Sequence, residues 1–140
     1  MWLLPLLACA SGASSTAPTL AGHWTCAVEA TTRTHLEWDT AAPEAGESSL
    51  SLELEVALPD LRLSHPDGFC EELLVAEGDP LSSIHLAAQR CNSGFYAGYL
   101  REAELRLEGR DATWTAELEL GLSNGGSSYR EEQHQGHCTR

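Results

Sequence analysis

The stretch Ala103-Glu104-Leu105-Arg106-Leu107-Glu108-Gly109-Arg110-Asp111-Ala112-Thr113-Trp114-Thr115-Ala116 decides the fold, because apolar and polar residues alternate on both sides of Gly109-Arg110. Two strands joined by that two-residue loop place Leu107 opposite Ala112, Leu105 opposite Trp114 and Ala103 opposite Ala116. All six then point to one side. Glu108, Arg106 and Glu104 fall opposite Asp111, Thr113 and Thr115 on the other side, so the turn and the face pattern agree on one register. A slip of one residue would destroy that agreement. Glycine at the first loop position suits a type II′ turn, which needs positive φ there.

Outward from this hairpin the period of two persists, and no apolar stripe at helical spacing interrupts it. In residues 49–58, Leu50, Leu52, Leu54, Val56 and Leu58 share one face while Ser51, Glu53 and Glu55 share the other. A strand with one dry side requires that pattern. Further strands are predicted at 61–64, 71–76, 84–90 and 95–101, separated by Pro59-Asp60, His65-Pro66-Asp67-Gly68, Gly78-Asp79-Pro80 and Asn92-Ser93-Gly94. A short helix over 80–88 is the competing local reading. After Ser123-Asn124-Gly125-Gly126, residues 127–138 carry polar side chains on both alternating faces. That segment is either an edge strand kept soluble by charge or a strand facing a polar interior. If Cys138 bonds Cys26, whose face also carries Trp24, Val28 and Ala30, then Arg130, Glu132 and His134 point inward. Buried unpaired they would cost several kcal/mol, so they would satisfy one another or line a mouth. Trp24, Arg130, Glu132 and His134 are therefore the candidate ligand-binding residues.

The 140 residues suffice for one domain, and with 8 basic and 21 acidic residues the net charge is −13. Such a surface repels nucleic acid and anionic headgroups, which leaves a basic protein as the charge-compatible macromolecular partner. Setting Cys9 aside, Cys26, Cys70, Cys91 and Cys138 form an even set, which in an exported chain reads as two disulfides. Three pairings are possible. Cys26 with Cys138, joining the ends of the domain, and Cys70 with Cys91, closing a local loop, are favoured. Zinc ligation lacks a C-x-x-C pair. His35 with Glu37, or His23 with His137, could each offer two metal ligands, but spacing fixes no third, so no metal or other cofactor is expected. Gly-x-Ser-x-Gly, Walker, Rossmann and His-Glu-x-x-His patterns are missing, and the expectation is a protein that is not an enzyme.

Leu6-Leu7-Ala8-Cys9 resembles the lipobox of bacterial lipoproteins. That resemblance implies a signal peptide at 1–8, a lipidated Cys9 opening a flexible tether at 9–19, and a folded domain at 20–140. The apolar run is shorter than the about 20 residues a spanning helix needs, so the membrane would be reached through lipid. The location implied is the bacterial cell envelope, as an outer-membrane or periplasmic lipoprotein, or secretion if the cysteine is not lipidated.

Gly22-His23-Trp24 is similar to the Gly-x-Trp signature of the lipocalins. The likeness implies an all-β fold: a single up-and-down antiparallel β-barrel of about eight strands, disulfide-bonded here, carrying a small molecule in its cavity. Trp24 would plug the closed end beneath an arginine, Arg140 or Arg130. The lipocalins' second motif, a Thr-Asp-x-x-Tyr-like run, is missing between Phe69 and Tyr99. A β-sandwich is the alternative fold. Cys26 and Cys138, with Asn92-Ser93-Gly94-Phe95-Tyr96, resemble the frame and the Ser-Gly loop of small lipoproteins that inhibit lysozyme, although the loop's arginine is missing. On that likeness Ser93, Tyr96 and Tyr99 would contact a protein. A structural accessory lipoprotein of an envelope complex is a third possibility. The leading expectation is an exported, lipid-anchored, non-catalytic binding protein.

Overall fold

A computed structural model describes residues 17–37, 43–94, 97–122 and 127–140. The lipobox and Cys9, together with Phe95, Tyr96 and the 123–126 loop, lie outside the described residues. Ten strands form one antiparallel sheet: β1 (Gly22–His35), β2 (Glu44–Ala57), β3 (Asp60–Ser64), β4 (Leu74–Val75), β5 (Glu77–Asp79), β6 (Ser83–Leu86), β7 (Gln89–Arg90), β8 (Gly98–Glu108), β9 (Asp111–Gly121) and β10 (Tyr129–Thr139). The ladder runs β4-β3-β2-β1-β10-β9-β8-β6-β5, with β7 also on β8. Its two outermost strands are consecutive in the chain. Leu74–Val75 pairs with β3 while Glu77–Asp79 pairs with β6, so one short segment joins both ends of the sheet. Between them Ala76 points inward and donates its N–H to the Pro59 carbonyl at 2.8 Å. The result is a nearly closed up-and-down barrel rather than a sandwich, and closure removes most exposed edge.

The 103–116 hairpin adopts the register its pattern dictates. Leu107 faces Ala112, Leu105 faces Trp114 and Ala103 faces Ala116, and Gly109 sits at a φ of 65°. Cys26–Cys138 and Cys70–Cys91 are the two disulfides. Trp24 and Trp114 are the largest fully buried side chains, packed among Leu20, Leu52, Leu54, Leu105 and Leu118. Gly136 faces Trp114 across the β9–β10 ladder and Val28 across the β1–β10 ladder. A Cβ at Gly136 would come within 2.8 Å of Val28 Cγ2, so this inward position of β10 has no room for a side chain beside Val28.

Several local expectations need correction. Residues 127–138 are not an edge: β10 pairs with β1 on one side and β9 on the other. The strand expected at 71–76 shrinks to Leu74–Val75, because the N–H groups of Glu71 and Glu72 both go to the Asn92 carbonyl and leave the ladder. The stretch 84–90 breaks at Ala87-Ala88 into β6 and β7, and the competing helix over 80–88 gives way to the Ser83–Leu86 strand on β8. The strand read at 95–101 and the one that opens the hairpin are a single strand, β8, with a register shift between Leu100 and Glu102. The extra residue, Arg101, projects to Glu119 and Glu131 on the outer wall. Thr19, counted with the tether, is already held by the Pro80 carbonyl, and Leu20 beside it is fully buried.

Candidate functional site

Inward-facing positions of β10 run Glu132, His134, Gly136, Cys138. The parity imposed by the Cys26–Cys138 crosslink therefore carries a carboxylate and an imidazole into the barrel. Glu132 is 2% exposed and His134 4%. A third polar residue reaches the same place from the opposite wall. In β3 Leu61 and Leu63 point inward, and the same alternation continues into the following turn to aim His65, 6% exposed, at β10.

The two imidazoles converge on one oxygen of Glu132. His134 Nε2 lies 2.8 Å and His65 Nε2 3.1 Å from Glu132 Oε1, while Arg130 Nη2 sits 2.8 Å from Oε2. Arg130 also approaches Asp67 Oδ2 at 3.6 Å and spreads its guanidinium 5.4 Å from the centre of the Phe69 ring. Its buried Nε has no hydrogen-bond partner among the described residues.

The protonation of both rings follows from their remaining nitrogens. His65 Nδ1 is 3.1 Å from the backbone N–H of Asp67, and His134 Nδ1 is 3.3 Å from the indole N–H of Trp114. Those two groups can only donate. Each Nδ1 must therefore carry a lone pair, which puts the proton of each neutral ring on Nε2, where it is donated to Glu132. Burial alone would raise the carboxyl's pKa, but the hydrogen bonds from His134 and His65 outweigh it and hold Glu132 well below the ordinary carboxylate range. The cluster is the Glu132 carboxylate with two imidazoles donating to it, and one guanidinium shared between Glu132 and the Asp67 carboxylate at the rim.

The ligand atoms of His65, Glu132 and His134 lie within 4.8 Å of one another, a spacing a metal could use. The surrounding hydrogen bonds oppose that use. A ligating histidine donates an N–H from its second nitrogen to an outer acceptor, whereas here both second nitrogens accept. Metal at Nε2 would leave both rings without any proton, beside a guanidinium that repels the ion. The other histidine pairings do not assemble a site either. His35 Nε2 meets Glu131 at 3.1 Å, whereas Glu37 accepts from Ser127. His23 lies between Glu53 and Glu55, and His137 meets Asp111.

Of the residues singled out from sequence, Arg130, Glu132 and His134 come together, and Trp24 does not join them. Trp24 sits toward the opposite end of the barrel, its Nε1 donating to the Leu20 carbonyl at 2.9 Å, with the Arg140 guanidinium 4.0 Å from its ring centre. The arginine over the Trp24 indole is Arg140, one residue past the end of β10, and not Arg130. Ser93 is buried in the 91–94 loop, whereas Tyr99 is 41% exposed. Tyr99 flanks an open groove of about 640 Å³ on the outer wall, lined also by Arg90, Glu119 and Tyr129. His65 and Asp67 were legible only as turn formers, though the inward phase of Leu61 and Leu63 extends by two residues to His65.

No family model matches the chain, and no match is found among curated proteins or solved structures. The two disulfides suggest an oxidising, exported compartment. Nothing among the described residues positively indicates catalysis.

Proposed function

We propose that this chain is an exported, non-catalytic binding protein that holds a small ligand at the polar end of its barrel, through Arg130, Glu132, His134 and His65. One observation carries the reading: an otherwise apolar, tightly filled interior buries the Glu132 carboxylate with two imidazoles and meets it with the half-buried Arg130 guanidinium. An apolar filling of equal volume would serve stability as well or better. Arg130 Nε, a donor left unsatisfied, points to the same end. Anchorage in the bacterial envelope through a lipidated Cys9 belongs to this proposal and rests on Leu6-Leu7-Ala8-Cys9.

Native mass spectrometry of the full chain exported from a bacterial host tests the ligand. A co-purified small-molecule adduct is expected, lost in Arg130→Ala and weakened in Glu132→Gln. An adduct unchanged in both variants, or a chain that carries none and binds none from an envelope extract, would overturn it. Metabolic labelling with radioactive palmitate, expected in the native chain and lost in Cys9→Ser, tests the anchor. A second reading, contact with a basic protein, is favoured by the exposed Tyr99 beside its outer groove and by the acidic charge. Under that reading Tyr99→Ala would abolish capture of the partner and leave the interior cluster unaltered.

A further inference from the structure

Residues 65–69 lie across the polar end of the barrel as a short span between two fixed points. Ser64 is paired to Glu53 in the ladder, and Cys70 is crosslinked to Cys91. Open grooves flank the span: about 370 Å³ on the side of Ser93, Gly94, Gly121 and Leu122, and about 260 Å³ on the side of Arg62 and Ser64. Between its anchors the span is held inward by His65 on Glu132, by Asp67 on Arg130 and by Phe69 under the same guanidinium.

We propose that residues 65–69 form a proton-released lid, which stays shut while His65 is neutral and swings away from β10 when His65 gains a second proton. The geometry leaves that proton no acceptor. It must add at Nδ1, where it would meet the N–H of Asp67 at 3.1 Å, donor against donor. The contact that closes the turn is lost, and the Nδ1–H of buried His65 is left without an acceptor, a substantial penalty. Attraction between the new imidazolium and Glu132 does not rescue the closed form, because Arg130 already matches that carboxylate.

The charged and titratable groups facing His65 are Glu132, His134 and Arg130 from β10 and Asp67 from its own turn, with Arg62 and Glu71 along the outer groove. His134 reinforces the response, since its second proton would meet the Trp114 indole N–H in the same way. Burial works against the Glu132 carboxylate, but the hydrogen bonds of His134 and His65 hold its pKa below the ordinary carboxylate range. An opened span would uncover Arg130, Glu132 and His134 to water. The lid follows from the hydrogen-bond donors around His65 and stands whether or not the ligand proposed above exists.

Amide hydrogen exchange of the full, oxidised chain at pH 7.5 and pH 5.0, corrected for intrinsic exchange, tests it. Protection at Asp67, Gly68 and Phe69 is expected to fall at least tenfold at pH 5.0, while Leu105 and Trp114 in the hairpin keep theirs. His65→Gln should remove this difference between the two pH values. If that variant fails to fold, nitrogen NMR of the native chain decides, with a neutral His65 protonated on Nε2 expected at pH 7.5. Undiminished lid protection at pH 5.0 with a protonated His65 would overturn the lid, as would a neutral His65 protonated on Nδ1.

Discussion

The side-chain amide of Gln89 pairs with the backbone of Val75 as a strand would: Val75 N–H donates to Oε1 at 2.8 Å and Nε2 donates to the Val75 carbonyl at 2.9 Å. These bonds bridge β4 and β7, where the ladder itself does not close. Gln89→Leu is expected to cost about 1 kcal/mol, the net worth of exposed bonds that water partly replaces. The amide of Val75 should exchange faster while those of β8 and β9 are unaffected. Unchanged exchange at Val75 would mean that the seam is held by Cys70–Cys91 and the Asn92 bonds to Glu71 and Glu72 without help from Gln89.

At the opposite end, Arg140 covers the Trp24 ring and donates to the carbonyls of Thr19 and Ala21. Arg140→Ala removes a cation over an aromatic face and opens a path for water to the indole. The expected loss is about 1 kcal/mol, with a red shift in tryptophan emission that Arg130→Ala does not produce. Equal shifts in both variants would contradict the separate placement of the two arginines.

The readability of this chain follows its alternation. Wherever one strand face is dry and the other wet, as from Ala103 to Ala116, the sequence encodes both face and register, because slippage would turn Leu105 and Trp114 into water. The polar site was half legible for the same reason: a single crosslink, Cys26–Cys138, fixes the parity of β10 and so the inward aim of Glu132 and His134. His65 escaped because its Pro-Asp-Gly neighbours read as a turn, although the phase of Leu61 and Leu63 runs on into it. The seam was illegible. Its bonds are made by side chains, such as Gln89 to Val75, and by Asn92 accepting from Glu71 and Glu72, which leave no periodic trace.

On the outer wall His23 touches Glu53 and Glu55 with its two ring nitrogens, and its hydrogen bonds to Glu55 and then Glu53 raise its pKa above the ordinary 6.5. A raised value means that the folded state binds the proton more tightly than the unfolded one. Its contribution to stability is complete below 6.5 and disappears as pH climbs through the folded-state value. Urea midpoints of the native chain should therefore decline above pH 6.5 more steeply than those of His23→Gln. Parallel profiles would show that the imidazole is not charged between the two carboxylates.

The two disulfides should differ in worth, because Cys26–Cys138 spans 112 residues and Cys70–Cys91 only 21. In the chain-entropy description a loop of the first size is worth about 4–5 kcal/mol and one of the second about 3 kcal/mol. Equilibrium urea unfolding of Cys26→Ser/Cys138→Ser and Cys70→Ser/Cys91→Ser is expected to rank them in that order. The reverse order would indicate that the 65–76 segment, rather than the junction of β1 and β10, limits global unfolding.

Glu132 carries the opposite pH signature to His23. Its carboxyl is held below the usual 4.5 against burial by the donors of His134 and His65, so its contribution is full above 4.5 and is lost as pH falls toward the depressed value. Glu132→Gln keeps the volume but leaves Arg130 without its buried counter-charge, and removing one member of such a pair costs about 3–5 kcal/mol. That deficit is expected near neutrality and should shrink as pH falls below 4.5, because the unfolded native chain then takes up a proton that the folded carboxylate does not. A deficit that stayed constant from pH 7 to pH 3 would assign the loss to packing instead. Trp114→Phe separates the two, since it removes a donor from His134 and leaves the Glu132 charge in place: its cost, about 1–3 kcal/mol for a buried acceptor left unpaired, should not follow the acid profile of the carboxylate.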